Sequence, residues 1–254
     1  MPKWSIITVA YNSRNEISHF WSSLAHEKSI EWILIDNASA DDSVDLAESL
    51  GALTVRLATN LGFGAANNIG FERSSGEYVI FVNPDVSIDI DCLTALGEHL
   101  DEHPMDLVSP QLVNSDGSLQ PNGRGEPYLV RKIVNRLAPK RGVGTYLRYA
   151  ADGQMAECSW LMGAVVAGRR ERFAELGPWD PHFFVYYEDS DLGLRNLRSG
   201  GRNVVLGGCR WTHGWARETS KLSVSAWKLE VQSMLKFYAR YPLLLSVPGK
   251  DRAA

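Results

Sequence analysis

The sequence predicts an α/β protein built on a mostly parallel sheet with helices on both faces. Strands and helices alternate strictly through the first half of the chain, which is the pattern of βαβ units. The strands are short runs of apolar and β-branched residues, as expected for strands buried on both faces. Polar or acidic residues follow four of these strands directly, at the edge where ligands bind in such sheets. With 254 residues, 44% hydrophobic and 22% charged, the chain can bury a large core.

The elements of the first half are predicted in order from their local patterns. Residues 5–10 (SIITVA) form a strand, and a helical stretch follows to about His26. The alternation continues with a strand over 31–35, a helix over 41–50, a strand over 53–58, a helix over 65–74 and a strand over 78–82.

The second half has a different rhythm. Its patterns predict a helix over 89–102, a strand near Leu107 (LVSPQLV), a buried strand over 159–167, a short helix over 169–176 and a strand over 203–206. An amphipathic helix with interleaved basic and aromatic residues is predicted over 223–240. Residues 115–155 are rich in glycine, proline and basic residues and show no clear period.

Several features indicate a cytoplasmic protein. The longest strongly apolar stretch, WLMGAVVAG, is stopped by Arg169 well short of the ~20 residues that a membrane span needs. The N-terminus lacks the apolar core and cleavage site of a signal peptide. Cys92, Cys158 and Cys209 are odd in number and form no C-x-x-C pattern, which indicates a reduced compartment and argues against a zinc site.

The net charge of −4 is unevenly distributed. Residues 124–148 carry a balance of +6, so the rest of the chain carries −10. A basic segment in an acidic protein favours attraction to phosphate groups, on a membrane surface or on a substrate. A solvated loop is the alternative, and the sequence does not decide between them.

The four strand ends define one candidate site. They carry Tyr11-Asn12, Asp36-Asn37, Thr59-Asn60 and Asn83-Pro84-Asp85. An acid behind a buried strand can hold Mg²⁺ or Mn²⁺ on a phosphate ligand, although Asn-Pro-Asp is also good turn chemistry. The glycine-rich NLGFGAANN offers backbone N–H groups to a phosphate or a sugar, but it is a weak dinucleotide fingerprint because it follows the third strand.

A second candidate site is the block FFVYYEDSDLGLR. It places Glu188, Asp189 and Asp191 directly behind a run of aromatic and apolar residues. One interpretation is a helix start, where acids meet the positive end of the helix dipole and Gly200 ends the helix. That interpretation leaves the aromatics unexplained. His213 is a further candidate as a metal ligand, with simple packing as its alternative.

Taken together, these motifs resemble a known family. SIITVAYN, ILIDNASAD, NLGFGAANN, FVNPD, WLMGAVVAGRR, FFVYYEDSDLGLR and a final histidine occur in the order seen in family 2 inverting glycosyltransferases of GT-A fold. The chain looks most like the rhamnosyltransferase and galactofuranosyltransferase branch, from about Ser5 to His213. The resemblance implies one GT-A domain. It would have a Rossmann-like nucleotide-sugar-binding half (1–110), an acceptor-binding half with a mixed sheet (111–215) and a C-terminal helical tail (216–254).

The resemblance also implies roles for individual residues. Asp36 would accept the N3–H of a uracil or thymine. Asp85 would hold Mg²⁺ or Mn²⁺ with His213 as the second ligand, although Asn83 stands where the family has the first acid of its Asp-x-Asp motif. The donor-binding residues would be Ala10, Tyr11, Asn12, Asp36, Asn37, Ser39, Asn60, Gly62, Phe63, Asn67, Asn83, Pro84 and Asp85. The residues facing donor or acceptor would be Trp160, Met162, Gly163 and Tyr187.

Inverting sugar transfer needs a base for the acceptor hydroxyl and a cation for the departing diphosphate. The resemblance implies Asp189 as the base, Glu188 as a hydrogen-bond partner of the acceptor, and Asp191 as the group that orients Arg195. A helix start would keep Asp189 ionised, so its strength is expected to come from desolvation and alignment more than from a raised pKa. The aromatics are expected to form the wall of an acceptor pocket.

The resulting hypothesis is transfer of rhamnose from dTDP-rhamnose, with UDP-sugars as the next candidates, in bacterial cell-surface polysaccharide synthesis. The acceptor would be a saccharide or a lipid-diphosphate-linked saccharide, with peripheral contact at the inner membrane face and no nucleic-acid partner. A homodimer stays open. The alternatives are a nucleotidyltransferase, which would want a G-x-G loop after the first strand, and a non-catalytic sugar- or nucleotide-binding module. A dehydrogenase lacks its fingerprint at the first strand.

Overall fold

The computed structural model describes residues 3–25, 27–138, 146–214 and 224–246. Its strands are β1 (Trp4–Ala10), β2 (Ile30–Asp36), β3 (Leu53–Arg56), β4 (Tyr78–Val82), β5 (Leu107–Val113), β6 (Gly123–Arg124), β7 (Leu147–Arg148), β8 (Met155–Cys158), β9 (Trp160–Leu161), β10 (Val165–Arg169) and β11 (Asn203–Thr212). Its helices are α1 (Arg14–Phe20), α2 (Ser43–Ser49), α3 (Phe63–Arg73), α4 (Asp91–Glu102), α5 (Leu129–Leu137), α6 (Arg170–Leu176), α7 (Glu188–Arg198) and α8 (Val224–Arg240). Short 3-10 turns lie at Ser22–Leu24 and Pro242–Leu245.

Eight strands form one large sheet in the order β3-β2-β1-β4-β10-β5-β11-β8. The first four strands pair in parallel, and β11 runs parallel to β5. Strand β10 lies antiparallel between β4 and β5, and β8 is antiparallel to β11. The predicted α/β class with a mostly parallel sheet is therefore confirmed.

Helices cover both faces of this sheet. Helices α1, α2 and α4 pack on one face, where Ile17, Ala47 and Leu96 join the largest buried cluster. Helices α3, α6 and α7 cover the other face. Helix α3 approaches β1 so closely that a Cβ at Gly70 would lie 2.4 Å from a methyl group of Ile7. Only glycine fits this contact, which fixes the height of the helix over the sheet.

A small antiparallel sheet, in the order β7-β6-β9, was not predicted. The prediction of one strand over 159–167 was wrong, because the chain changes sheets there. At Ser159 the chain leaves the large sheet, because the Ser159 N–H donates to the Arg124 carbonyl at 2.7 Å. A turn from Met162 to Val165 then leads into β10. A continuous apolar run does not show where a strand changes partners.

Two other expectations are corrected by the fold. Residues 115–155 contain β6, α5 and β7, none of which was predicted; α5 has only nine residues, stands between glycine- and proline-containing stretches and buries none of its residues. The strand predicted over 203–206 continues to Thr212 through a register shift between Leu206 and Arg210. Gly207 and Gly208 look like a strand end in the sequence, but they form this irregularity.

The remaining boundaries agree with the predictions to within a few residues. The first helix ends earlier than expected, at Phe20, with a 3-10 turn behind it. His26 and Ser223, which bounded two predicted helices, lie outside the described residues. Among the helices in the described ranges, none combines the length and the apolar character that crossing a bilayer would require.

Candidate functional site

The loops behind β1 and β2 form one wall at the carboxyl edge of the sheet. The Asn12 N–H donates to the Ser39 hydroxyl at 2.9 Å, and the Asn12 side-chain oxygen accepts the Ala40 N–H at 2.7 Å. The carboxylate of Asp36 is buried and accepts the Ser39 N–H at 3.2 Å. Tyr11 stays exposed at the rim. The predicted base and ribose residues are thus held together by their own hydrogen bonds.

The third loop is tied to this wall by two asparagines. Asn37 donates to the Asn60 side-chain oxygen at 2.9 Å and accepts the Leu61 N–H at 2.8 Å. The same Asn60 oxygen accepts the Gly62 N–H at 2.9 Å. Asn67 was expected to approach the donor. It is buried, and its side-chain amide donates to the Phe63 carbonyl, so it supports this loop instead.

Gly62 brings this loop against the acidic block. Its φ is 86°, and a Cβ there would lie 2.3 Å from the Phe184 carbonyl oxygen. That oxygen accepts the Phe63 N–H at 2.8 Å. The predicted donor loop and the predicted catalytic segment are therefore in direct backbone contact.

Asp85 and His213 face each other across the carboxyl ends of β4 and β11. The Asp85 Oδ2 lies 3.4 Å from His213 Nε2. The Pro84 carbonyl accepts the Trp21 indole N–H at 2.9 Å, and the Gly214 N–H donates to the Asp85 carbonyl at 2.7 Å. Both sides of the Asn-Pro-Asp turn are anchored, so it is more than a surface connection.

Gln120 fixes the orientation of the His213 ring, although no motif in the sequence indicates this residue. Its amide nitrogen donates to Asn114 and to the His213 carbonyl, so its oxygen must accept from Nδ1, 2.9 Å away. The ring is thereby held with Nε2 facing the Asp85 carboxylate. A carboxylate and an imidazole nitrogen facing each other in this way fit a divalent cation between them. In the described part of the chain no third histidine, cysteine or acid joins them.

The acids begin α7 as predicted, behind a strained entry. Tyr186 and Tyr187 both adopt left-handed backbone, with φ of 69° and 70°. Glu188 is buried, and its Oε2 has no hydrogen-bond partner among the described residues. Burial, and then the neighbouring Asp189 charge, raises the pKa of Glu188 to about 8. Glu188 is thus a protonated acid at neutral pH.

Asp189 is held by two backbone N–H groups, from Ser190 at 2.7 Å and from Gly163 at 3.3 Å. Burial raises its pKa, and the charge of Lys132 and these hydrogen bonds oppose the shift. Its strength as a base was expected to come from desolvation and alignment more than from a raised pKa, whereas burial does raise the pKa of Asp189.

Two cations beside Asp189 come from the segment that showed no period. The Lys132 ammonium lies 3.5 Å from the centroid of the Tyr187 ring, 5.1 Å from that of Trp160 and 3.4 Å from the Ser190 hydroxyl. Burial lowers the pKa of Lys132 to about 8. Arg124 lies on the same Trp160 ring, 5.9 Å from the centroid. Part of the basic segment therefore lines the site.

The four predicted pocket residues surround this charge cluster. Trp160 and Tyr187 are buried beneath Lys132, and the Trp160 indole donates to the Gly125 carbonyl at 3.1 Å. The Met162 sulfur lies 3.9 Å from Arg124. Gly163 holds Asp189, as described above. Trp160 and Tyr187 thus shape the floor of the site.

Asp191 has a structural role. Its carboxylate is fully buried and binds Arg195 at 2.7 Å, as expected, but also Arg240 at 2.8 Å and the Tyr241 hydroxyl at 2.7 Å. These contacts anchor α8 and the residue behind it to α7. Asp191 was grouped with the catalytic acids, but these contacts occupy its carboxylate.

The aromatic residues of the block do not form the open pocket wall that was expected. Phe183 and Tyr187 are buried in a cluster with Phe237, Tyr238 and Tyr241 from the C-terminal segment. Phe184 remains partly exposed. The aromatics therefore dock the C-terminal helix, and only their edge borders the acids.

A mostly parallel sheet with polar loops at its carboxyl edge is the architecture of nucleotide-binding α/β proteins. The family model "Glycosyl transferase family 2" matches residues 5–160. The chain therefore belongs to glycosyl transferase family 2, and it is a nucleotide-sugar glycosyltransferase.

Known relatives agree with this assignment. The chain is 27% identical over 237 residues to the N-acetylglucosaminyl-diphospho-decaprenol L-rhamnosyltransferase of Mycobacterium tuberculosis, covering 85% of this chain and 77% of the relative. A crystal structure of Staphylococcus aureus TarS 1–349 in complex with UDP-GlcNAc is similar with a TM-score of 0.59 and 21% identity, over 95% of this chain and 65% of that one. GalNAc-T7 with UDP, GalNAc and Mn²⁺ gives a TM-score of 0.63 at 17% identity, over 100% of this chain and 53% of that one.

Proposed function

We propose that this protein transfers a sugar with inversion from a nucleoside-diphosphate donor to a saccharide acceptor. The preferred donor is dTDP-rhamnose, with UDP-sugars next, and the preferred acceptor is a lipid-diphosphate-linked saccharide of a bacterial cell-surface polysaccharide. The rhamnosyltransferase named above supports this choice, since its name describes such an acceptor. The protein would work in the cytoplasm, at the inner face of the membrane.

One observation carries the proposal. The turn between β9 and β10 touches both sides of the reaction: the Gly163 N–H donates to Asp189 at 3.3 Å, and the next residue, Ala164, accepts the Asn83 N–H at 2.9 Å. The Asn-Pro-Asp turn and the predicted base are thus mounted on adjacent residues. A displacement at an anomeric carbon needs its base and its leaving-group side within one cleft.

On the donor side, the wall behind β1 and β2 would hold the nucleotide, with Asp36 accepting the N3–H of a pyrimidine. Asp85 and His213 would hold Mg²⁺ or Mn²⁺, with the donor diphosphate completing the ligand set. Such a cation, when bound, neutralises negative charge on the departing diphosphate.

On the acceptor side, Asp189 would take the proton of the attacking hydroxyl as its oxygen bonds to the anomeric carbon. The bond between that carbon and the donor diphosphate breaks on the opposite face, so the configuration inverts. Glu188, protonated at neutral pH, would donate a hydrogen bond to the acceptor. Lys132 and Arg124 favour the ionised form of Asp189, which is the form that accepts a proton.

The first test measures binding by thermal shift with dTDP-, UDP- and GDP-sugars, with and without Mn²⁺. A ligand that binds only the folded state raises the melting temperature. We expect pyrimidine nucleotides to raise it and Mn²⁺ to increase the effect. A preference for GDP would refute the pyrimidine pocket at Asp36.

The second test measures transfer. Asp189→Asn should lower kcat by about 10²–10⁴-fold, because a general base is lost, while nucleotide binding persists. Asp85→Ala should lose the Mn²⁺-dependent part of nucleotide binding. Asp116→Asn, an exposed acid on the loop behind β5, is the matched control. Transfer that survives both Asp189→Asn and Asp85→Ala would favour a different active site, and nucleotide binding without any transfer would favour a binding module.

A further inference from the structure

The outer face of α5 exposes a stripe of apolar side chains. Val130, Ile133, Val134 and Leu137 follow the i, i+3, i+4, i+7 spacing of one helix face. All four are exposed, Leu137 by 80%. A surface helix normally turns such a face to the core, so this helix has its apolar side outward.

The opposite face of α5 explains this orientation. Lys132 points inward, over the Tyr187 ring, as described above. Arg136 pairs with Glu230 at 2.9 Å, and its guanidinium lies 4.0 Å from the centroid of the Trp227 ring. Cationic side chains therefore hold α5 against α7 and α8, which leaves the apolar stripe to face outward.

The exposed apolar surface continues onto α8. Trp227, the neighbour of Arg136, and Val231 one turn later are both exposed. Apolar residues with a tryptophan and flanking basic residues are the composition of helices that lie in the interface of a bilayer.

We propose that the α5 stripe, continued by Trp227 and Val231, docks this protein on the headgroup region of an anionic lipid bilayer. Charge complementarity selects this occupant: Arg131 and Arg136 are partly exposed beside the stripe, α5 carries no acid, and the surrounding segment 124–148 has a balance of +6. Anionic headgroups attract such a segment, whereas the remaining −10 keeps other faces away from the membrane.

The location suits the reaction. The stripe and Lys132 lie on opposite sides of one helix, about 10–12 Å in diameter, so a membrane on the outer face stands one helix width from the acid pair. The inference rests on the proposed function only in naming a lipid-linked acceptor as the molecule that benefits.

The test is co-sedimentation of the full chain with vesicles of phosphatidylcholine alone or mixed with phosphatidylglycerol. We expect binding to the anionic vesicles that weakens with salt. Ile133→Asn with Leu137→Asn should lower the partition coefficient by about tenfold or more, because both side chains are exposed and would enter the interface. Folding is checked by the melting temperature and the nucleotide-induced thermal shift of the variant.

The control variant carries Leu53→Asn and Met105→Asn, which remove two exposed apolar side chains, one on the edge strand β3 and one in the turn before β5. It should bind vesicles like the original protein. Equal binding by the stripe variant, or no binding by the original protein, would overturn the proposal. A stripe variant that changes from dimer to monomer in sedimentation velocity while vesicle binding stays unchanged would assign the stripe to a second copy instead. Absence of nucleotide binding would refute the proposed function but would not change the conclusion drawn from vesicle binding.

Discussion

At the start of α7, two adjacent carboxyl groups share a buried site with two cations. Glu188 is the protonated member, with a pKa of about 8, and Asp189 is the member whose ionised form Lys132 and Arg124 favour. Adjacent carboxyl groups in one buried site oppose each other's ionisation, so the environment separates their roles. The pair can offer one proton donor and one proton acceptor to an acceptor sugar.

Removing the charge of Lys132 should change the pH dependence of transfer. The Lys132 charge lowers the pKa of Asp189, so Lys132→Met should raise it and move the acid limb of the kcat/KM profile to higher pH. Lys132→Arg should restore the original profile, because it keeps the charge. Lys228→Met, an exposed lysine on α8, should leave the profile unchanged. An unshifted acid limb in Lys132→Met would contradict this role.

Glu188 should make stability fall as the pH rises. Its folded-state pKa of about 8 lies above its ordinary value of 4.5, so its contribution is full below pH 4.5 and is lost as the pH rises through about 8. Glu188→Gln keeps a neutral side chain at every pH. The difference between the melting temperature of this variant and that of the original protein should therefore rise, in favour of the variant, from pH 5 to pH 8.5. Glu98→Gln, an exposed acid on α4, should show no such gain.

Individual site residues were predictable only where a motif or a strand end identified them. Asp85 and His213 were expected to converge, and they face each other at 3.4 Å. Their catalytic and metal-binding roles stay predictions. Gln120 lies outside any strand or helix, Arg124 lies in a two-residue strand, and Lys132 lies on the face of α5 opposite its apolar stripe, so no motif or core-facing pattern identified them.

At the scale of elements, the contact between the donor loop and the acidic block depends on one glycine. Gly62→Ala meets both a positive φ of 86° and the Phe184 carbonyl, whereas Gly117→Ala meets a positive φ of 79° and no atom within 4 Å. Gly117→Ala should cost about 1 kcal/mol of unfolding free energy. Gly62→Ala should cost about 1–3 kcal/mol more and weaken nucleotide binding. Urea unfolding measures the difference, and equal costs would show that the loop contact is not needed.

The elements themselves divide by how they are buried. Strands β1, β2 and β4 are buried on both faces and were predicted, because burial leaves an uninterrupted apolar run. Strand β11 was predicted only in part, since a register shift at two glycines interrupts its pattern. Sheet changes, such as the step from β9 to β10, are set by hydrogen-bond partners far away in the chain, and no local pattern records them.

At the scale of the whole molecule, two backbone N–H groups tie the acidic block to the loops around it. The Phe63 N–H donates to the Phe184 carbonyl, and the Gly163 N–H donates to the Asp189 carboxylate. Nucleotide binding should stabilise both contacts, so hydrogen exchange at Phe63 and at Gly163 should slow together. Amide exchange with and without nucleotide measures this. Slowing at Phe63 alone would show that the two sides are independent.

Strand β10 has a consequence for any attempt to shorten the protein. It lies between β4 and β5, so a fragment of residues 1–110 would lose the strand that joins these two. Strand β4 would become an unprotected apolar edge, which invites pairing with other molecules, and the part of β5 that remains would have neither of its neighbours, β10 and β11. We therefore expect that residues 1–110 and the rest of the chain do not fold as separate pieces. Complementation from two fragments would have to supply β10 before either piece aggregates.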